Sequence, residues 1–169
     1  MHKCLVAKAG RRLGVPWLAL LKHDLSKFRP LEFIDFSSWV AGDLSGLELG
    51  QSHLHHRHRN PHHAAYWCRP GDTGQLLVYE MPEELVREMA ADWQAAKKNE
   101  SGSWDLRPWY LQMREQMIIH PNSRALLEQL LCDQSQLYSP AFRPEQLGPL
   151  PIAPPRLEVI FNEPDEPIG

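Results

Sequence analysis

The sequence predicts an all-α fold, a helical bundle followed by a proline-rich tail. Apolar residues recur at helical spacing through most of the chain. Proline and glycine fall where helices start and stop. Strand-like patterning is weak everywhere except at Leu157–Phe161.

The elements follow in order. His2, Val6, Ala9 and Leu13 make one stripe of a first helix, which Gly14 ends. Pro16 suits the first turn of a second helix reaching Phe28, with Trp17, Leu20, Leu21, Leu25 and Phe28 expected inside. Arg29-Pro30 breaks the chain, and Leu31–Val40 reads as a third, aromatic-rich helix before a loop over Gly42–Gly50. A further helix is expected over Ser52–Arg59. Asn60-Pro61 stops it and restarts a helix whose first turn holds His62 and His63.

Arg69–Gln75 reads as a glycine-containing loop. Pro82 then opens the clearest helix, to about Lys98, with Glu83 and Glu84 at its positive end and Lys97 and Lys98 at its negative end. Two more helices are expected over Arg107–Met117 and Ser123–Gln134, with His120 assigned to capping the last. The final 31 residues hold eight of the fifteen prolines and read as an extended tail, with a short strand at Leu157–Phe161. This divides the chain into a helical domain, residues 1–138, and a tail, residues 139–169.

A net charge of −3 gives no strong nucleic-acid signal. The longest uncharged apolar run, Val15–Leu21, is too short for a membrane span, so no membrane association is expected. Cys4, Cys68 and Cys132 are scattered and odd in number, which suits reduced thiols and a cytoplasmic location.

Two carboxylates break the helical pattern. Asp24 lies three residues after Leu21, four after Leu20 and four before Phe28, within the apolar stripe. Asp92 lies three after Met89 and seven after Leu85, again on the inward side. An isolated buried carboxylate costs several kcal/mol, roughly, so such a group is neutralised, paired or bound to a metal. Nearby in sequence, His53, His55, His56, His58, His62 and His63 put six histidines into eleven residues. Neutral imidazole is the commonest ligand for transition metals. His53 and His58 are assigned to solvent or supporting roles. His2 lies on the inward stripe of the first helix, and His23 adjoins Asp24.

His2 followed by the string His23-Asp24-Leu25-Ser26-Lys27 resembles the signature of the HD-domain metal-dependent phosphohydrolase superfamily, with Ala91-Asp92 in the place of its final aspartate. The strings HDLSKF, HHRHRNPHHAAYW and MPEELVREMAADW look more closely like a group of small, uncharacterised bacterial and phage proteins, over roughly residues 1–131. The wider resemblance implies a helical fold in which His2, His23, Asp24 and Asp92 hold one divalent metal. Asp24 would bridge to a second ion held by His55 or His56 together with His62 or His63. The extra histidines lie closer together than in most binuclear members.

Oxygen and nitrogen ligands without thiolate favour one or two ions of Mn, Fe, Co, Ni or Zn. A metal-bound water would then attack a small phosphorylated substrate, a nucleotide or another phosphoester, and Asp24 and Lys27 are the expected catalytic residues. Lys27, Arg57 and Arg59 offer phosphate contacts. Two alternatives share the residues: an HD-fold di-iron oxygenase, and a non-catalytic, metal-stabilised protein that binds a protein partner through its tail.

Overall fold

The computed structural model describes residues 2–23, 54–138 and 159–161. Helix α1 (His2–Arg12) buries Val6, Ala9 and Gly10 on one side. It ends as the sequence dictates. Gly14 takes a φ of 75°, the Gly14 amide donates to Arg11 O and the Val15 amide donates to Gly10 O at 2.8 Å. That pair of bonds is the Schellman closure that satisfies the last carbonyls of a helix.

Pro16 starts α2 (Trp17–Lys22), which packs against α1. The approach is close at Gly10, where a Cβ would come within 2.4 Å of Leu20 Cδ2. Leu20 is buried, but Trp17 and Leu21 point outward, 60% and 45% exposed, against the expectation that they face the core. Among the described residues α2 packs mainly against α1, and Leu20 fills the stripe that faces it. The expected continuation to Phe28 and the third helix over Leu31–Val40 lie outside the described residues, as does the Gly42–Gly50 loop.

Residues 54–59 are helical (α3). The Asn60-Pro61 stop is present, but no helix restarts at Pro61. The Asn60 side-chain amide turns back and donates to His56 O at 2.8 Å, so it closes α3 instead of capping a new helix. The chain makes a turn and then a single 3-10 turn over Ala64–Trp67.

Next comes the main correction to the sequence reading. The fold is mostly helical but not all-α, because three short strands form a mixed sheet in the order β1-β2-β3. Strand β1 (Cys68–Pro70) pairs antiparallel with β2 (Leu76–Val78), taking residues 69 and 70 out of the expected loop. Strand β3 (Val159–Phe161) lies parallel to β2, with Leu77 opposite Ile160. Three-residue strands are too short to show alternation, and a parallel partner far along the chain leaves no local trace. The tail strand is thus joined to the helical part through β2.

Helix α4 (Glu83–Ser101) is the central element and packs against both α1 and the last helix. Pro82 precedes it, Glu83 and Glu84 occupy its first turn, and Gly102 ends it at a φ of 72°. Val86, Met89, Ala90 and Ala91 are fully buried. Burying Val86 and Met89 contributes roughly 1.5–3 kcal/mol each. Helix α5 (Arg107–Met113) passes into a 3-10 turn, Arg114–Gln116, and α6 (Pro121–Tyr138) completes the bundle. His120 Nδ1 accepts from the Asn122 amide at the start of α6. Among the described residues no helix is long and apolar enough to cross a membrane.

Candidate metal centre

Three elements bring imidazoles and carboxylates to one place. The first residue of α1, His2, hangs over α4 because the Val6–Ala9–Leu13 stripe docks there. His23 follows the last residue of α2 and is buried between the two helices, with a side-chain exposure of 0%. Glu88 and Asp92 lie one helical turn apart on α4, so their carboxylates share a face. His2 Nε2 lies 2.8 Å from Asp92 Oδ1. His23 bridges the two acids, its Nδ1 at 2.8 Å from Glu88 Oε1 and its Nε2 at 3.4 Å from Asp92 Oδ1.

A second set adjoins the first. His62 Nδ1 is 3.4 Å from the same Glu88 oxygen, and the His62 ring centroid is 4.5 Å from that of His23. His63 and His56 continue the line, with centroids 4.3 Å from His62 to His63 and 5.0 Å from His63 to His56. Among the described residues three groups bring all their ligand atoms within 4.8 Å of one another: His2–His23–Asp92, His23–His62–Glu88 and His56–His62–His63.

Tautomers decide which nitrogens can ligate. Neutral imidazole carries one proton, and a ligating nitrogen must present a lone pair. The shorter contact of His23 is to Glu88, so Nδ1–H donates there and the Nε2 lone pair faces Asp92 and His2. This is the arrangement in which an outer carboxylate fixes the tautomer of a metal-binding histidine. His56 is set the other way. Asn60 Nδ2 donates to His56 Nδ1 at 3.0 Å, which places the proton on Nε2. A proton must leave His56 Nε2 before it can ligate, and the same holds for His2 Nε2, which donates to Asp92 Oδ1 at 2.8 Å.

Two of the three ligand-atom separations in the His2–His23–Asp92 group can be set beside those a metal imposes. Ligand atoms about 2.0–2.2 Å from a tetrahedral zinc-like ion stand about 3.4 Å apart. The 2.8 Å and 3.4 Å separations from Asp92 Oδ1 need only a small opening of the first to match.

Of the other residues expected at the site, His55 is half-buried and belongs to none of the three groups. His58 and Arg59 are exposed, and Arg57 is exposed but contributes to a cavity wall. Asp24, Lys27 and His53 lie outside the described residues. Glu88 was not anticipated by the sequence reading. The signal was its position: four residues before Asp92 and three after Leu85, on the inward face of the same helix.

A cavity of about 620 Å³ opens beside this centre, and Asp92 and His63 form part of its wall. Trp93 and Trp109, both in its wall, pack edge to face against each other, their centroids 5.3 Å apart at 71°. Cys68 also lines it, its thiol directed at the carbonyls of Ala64 and Ile118. Burial pushes the Cys68 thiol above its ordinary pKa, against an opposing pull from Arg57.

Residues 1–133 match the model of a family of unknown function, DUF5662. No curated protein matches the chain, and neither does any solved structure.

Proposed function

We propose that this chain, which belongs to the DUF5662 family, is a cytoplasmic, metal-dependent phosphohydrolase of HD type. One observation carries the reading. His2, His23 and Asp92, separated widely in sequence, converge with ligand atoms within 4.8 Å, and Glu88 holds His23 in the ligating tautomer. These are three of the four residues that the HD-domain resemblance implies for the first ion. Asp24 would be the fourth.

The donor set of two imidazoles and a carboxylate suits Mn, Fe, Co, Ni or Zn. Such an ion supplies a bound water of lowered pKa, a nucleophile at neutral pH. The protein's own groups would do the rest. Glu88 accepts a hydrogen bond from His23 Nδ1–H and fixes the ring plane. Arg57, in the wall of the cavity that Asp92 also lines, offers a guanidinium to phosphate oxygens. Lys27 is assigned a phosphate contact and Asp24 a bridging role toward a second ion. His55 or His56, together with His62 or His63, would complete that second site.

The test is a hydrolysis screen of untagged full-length protein on phosphomonoesters and nucleotides with each divalent ion supplied in turn. Ion-dependent phosphate release that Asp92→Ala abolishes supports the reading. Oxygen consumption without phosphate release, on protein that carries iron, would replace it with the di-iron oxygenase.

A further inference from the structure

We propose that the cavity beside Asp92 selects a phosphoester whose alcohol part is a flat apolar ring, and that Trp109, paired with Trp93, is the residue that selects it. This rests on the hydrolase reading of the adjoining centre. Asp92 belongs both to the His2–His23–Asp92 group and to the cavity wall, so a molecule seated in the cavity reaches the centre. Its volume, about 620 Å³, falls in the range that encloses a compact organic ligand.

The wall decides the chemistry. Among the described residues its charged and polar lining is Asp92, His63, Arg57 and Gln116, which brings an acid of the candidate centre and a guanidinium to one cavity. The rest is mostly apolar, with Trp93, Trp109, Met113, Met117 and Ile119. The two indoles give the cavity aromatic surface, and methionine thioethers adapt to an aromatic ligand. A sugar or polyol in the same place would bury hydroxyls against a surface with few hydrogen-bond partners, which is costly. Hydrolysis balances with water alone. The phosphorus–oxygen bond to the aryl alcohol breaks, the water oxygen joins the phosphate, and the water's protons are shared between the released alcohol and phosphate.

Two measurements on untagged full-length protein separate this inference from the reading beneath it. Tryptophan fluorescence is titrated with 2-naphthylphosphonate and with methylphosphonate, neither of which can be hydrolysed at oxygen. Turnover of 2-naphthyl phosphate is compared with that of glycerol 3-phosphate. The expected results are fluorescence change only with the naphthyl probe, and a preference in kcat/KM of at least about tenfold, the scale that apolar pockets reach. Trp109→Ala should bring that ratio to within about twofold, mainly through KM, and Trp109→Phe should keep part of it. The Phe variant guards against loss of fold. Leu111→Ala, at an exposed position of α5, should leave the ratio as it is. Equal turnover of both esters overturns the pocket assignment and leaves the hydrolase reading intact. Naphthylphosphonate binding that Trp109→Ala weakens, with no ester hydrolysed, retains the ring site and overturns the hydrolase reading. Neither binding nor turnover overturns both.

Discussion

His23 Nδ1 lies 2.8 Å from Glu88 Oε1, with the imidazole wholly buried and its other nitrogen turned toward Asp92. This contact, more than the number of histidines, gives the site its chemical direction. A carboxylate behind a buried imidazole orients the ring and raises its basicity, and the nitrogen that remains is the one available to a cation.

Glu88 should therefore act through His23. Glu88→Ala is expected to weaken metal binding by about 10–100-fold, the usual effect of removing such a partner. Glu88→Gln keeps an acceptor and should lose less. Competition with a chromogenic chelator reads both constants, and an Ala variant that binds as tightly as the native chain would remove Glu88 from the site.

Gly10 sets the distance between α1 and α2, which carry His2 and His23. Gly10→Ala would force its Cβ against buried Leu20, where the nearest side-chain atom is 2.4 Å away. Overpacking of this kind costs about 1–3 kcal/mol. A chain of this size should lose about 2–4 °C of Tm per kcal/mol. Calorimetry measures the shift, and an unchanged Tm would mean that the two helices part without cost.

Tyr110 gives a pH test of the fold through a residue outside the three candidate ligand groups. Its hydroxyl donates to Glu128 Oε1 at 2.8 Å and accepts from Arg124 Nη1 at 3.1 Å. Burial, reinforced by Glu128, pushes its pKa well above the ordinary phenol value. The sign follows from linkage: below about pH 10 the phenol is neutral in both states, and above that the unfolded phenol ionises first. This stabilisation is thus complete below pH 10 and is lost as pH rises toward the folded value. Tyr110→Phe should cost about 1–3 kcal/mol at neutral pH by leaving buried polar groups without their hydroxyl. The gap between the two proteins should narrow in urea melts above pH 10. A gap that widens there would reverse the assignment.

Long periodic segments were legible in the sequence because their patterns repeat within a few residues. The α1 stripe of Val6, Ala9 and Leu13 is buried, and α4 starts after Pro82 and ends at Gly102. Trp17 and Leu21 were misplaced because apolar character says nothing about how many neighbours a helix has. The sheet was missed since β2 takes its parallel partner from the tail. At the site, Asp92 stood out as a charge on an apolar face. Glu88 did not, because a glutamate in a helix beginning with Glu83 and Glu84 reads as solvated. The convergence of His2, His23 and Asp92 is a tertiary fact that no local pattern carries.

The account stands or falls on a cation at His2, His23 and Asp92. Elemental analysis of untagged full-length protein, beside Asp92→Ala and His23→Ala variants whose helicity and melting are checked, tests it most directly. One or two transition-metal ions per native chain, with clear loss in both folded variants, is the expected result. Native protein that holds no ion even after incubation with Mn, Fe, Co, Ni or Zn, or folded variants that keep the full complement, would show that these side chains serve only to pair with one another.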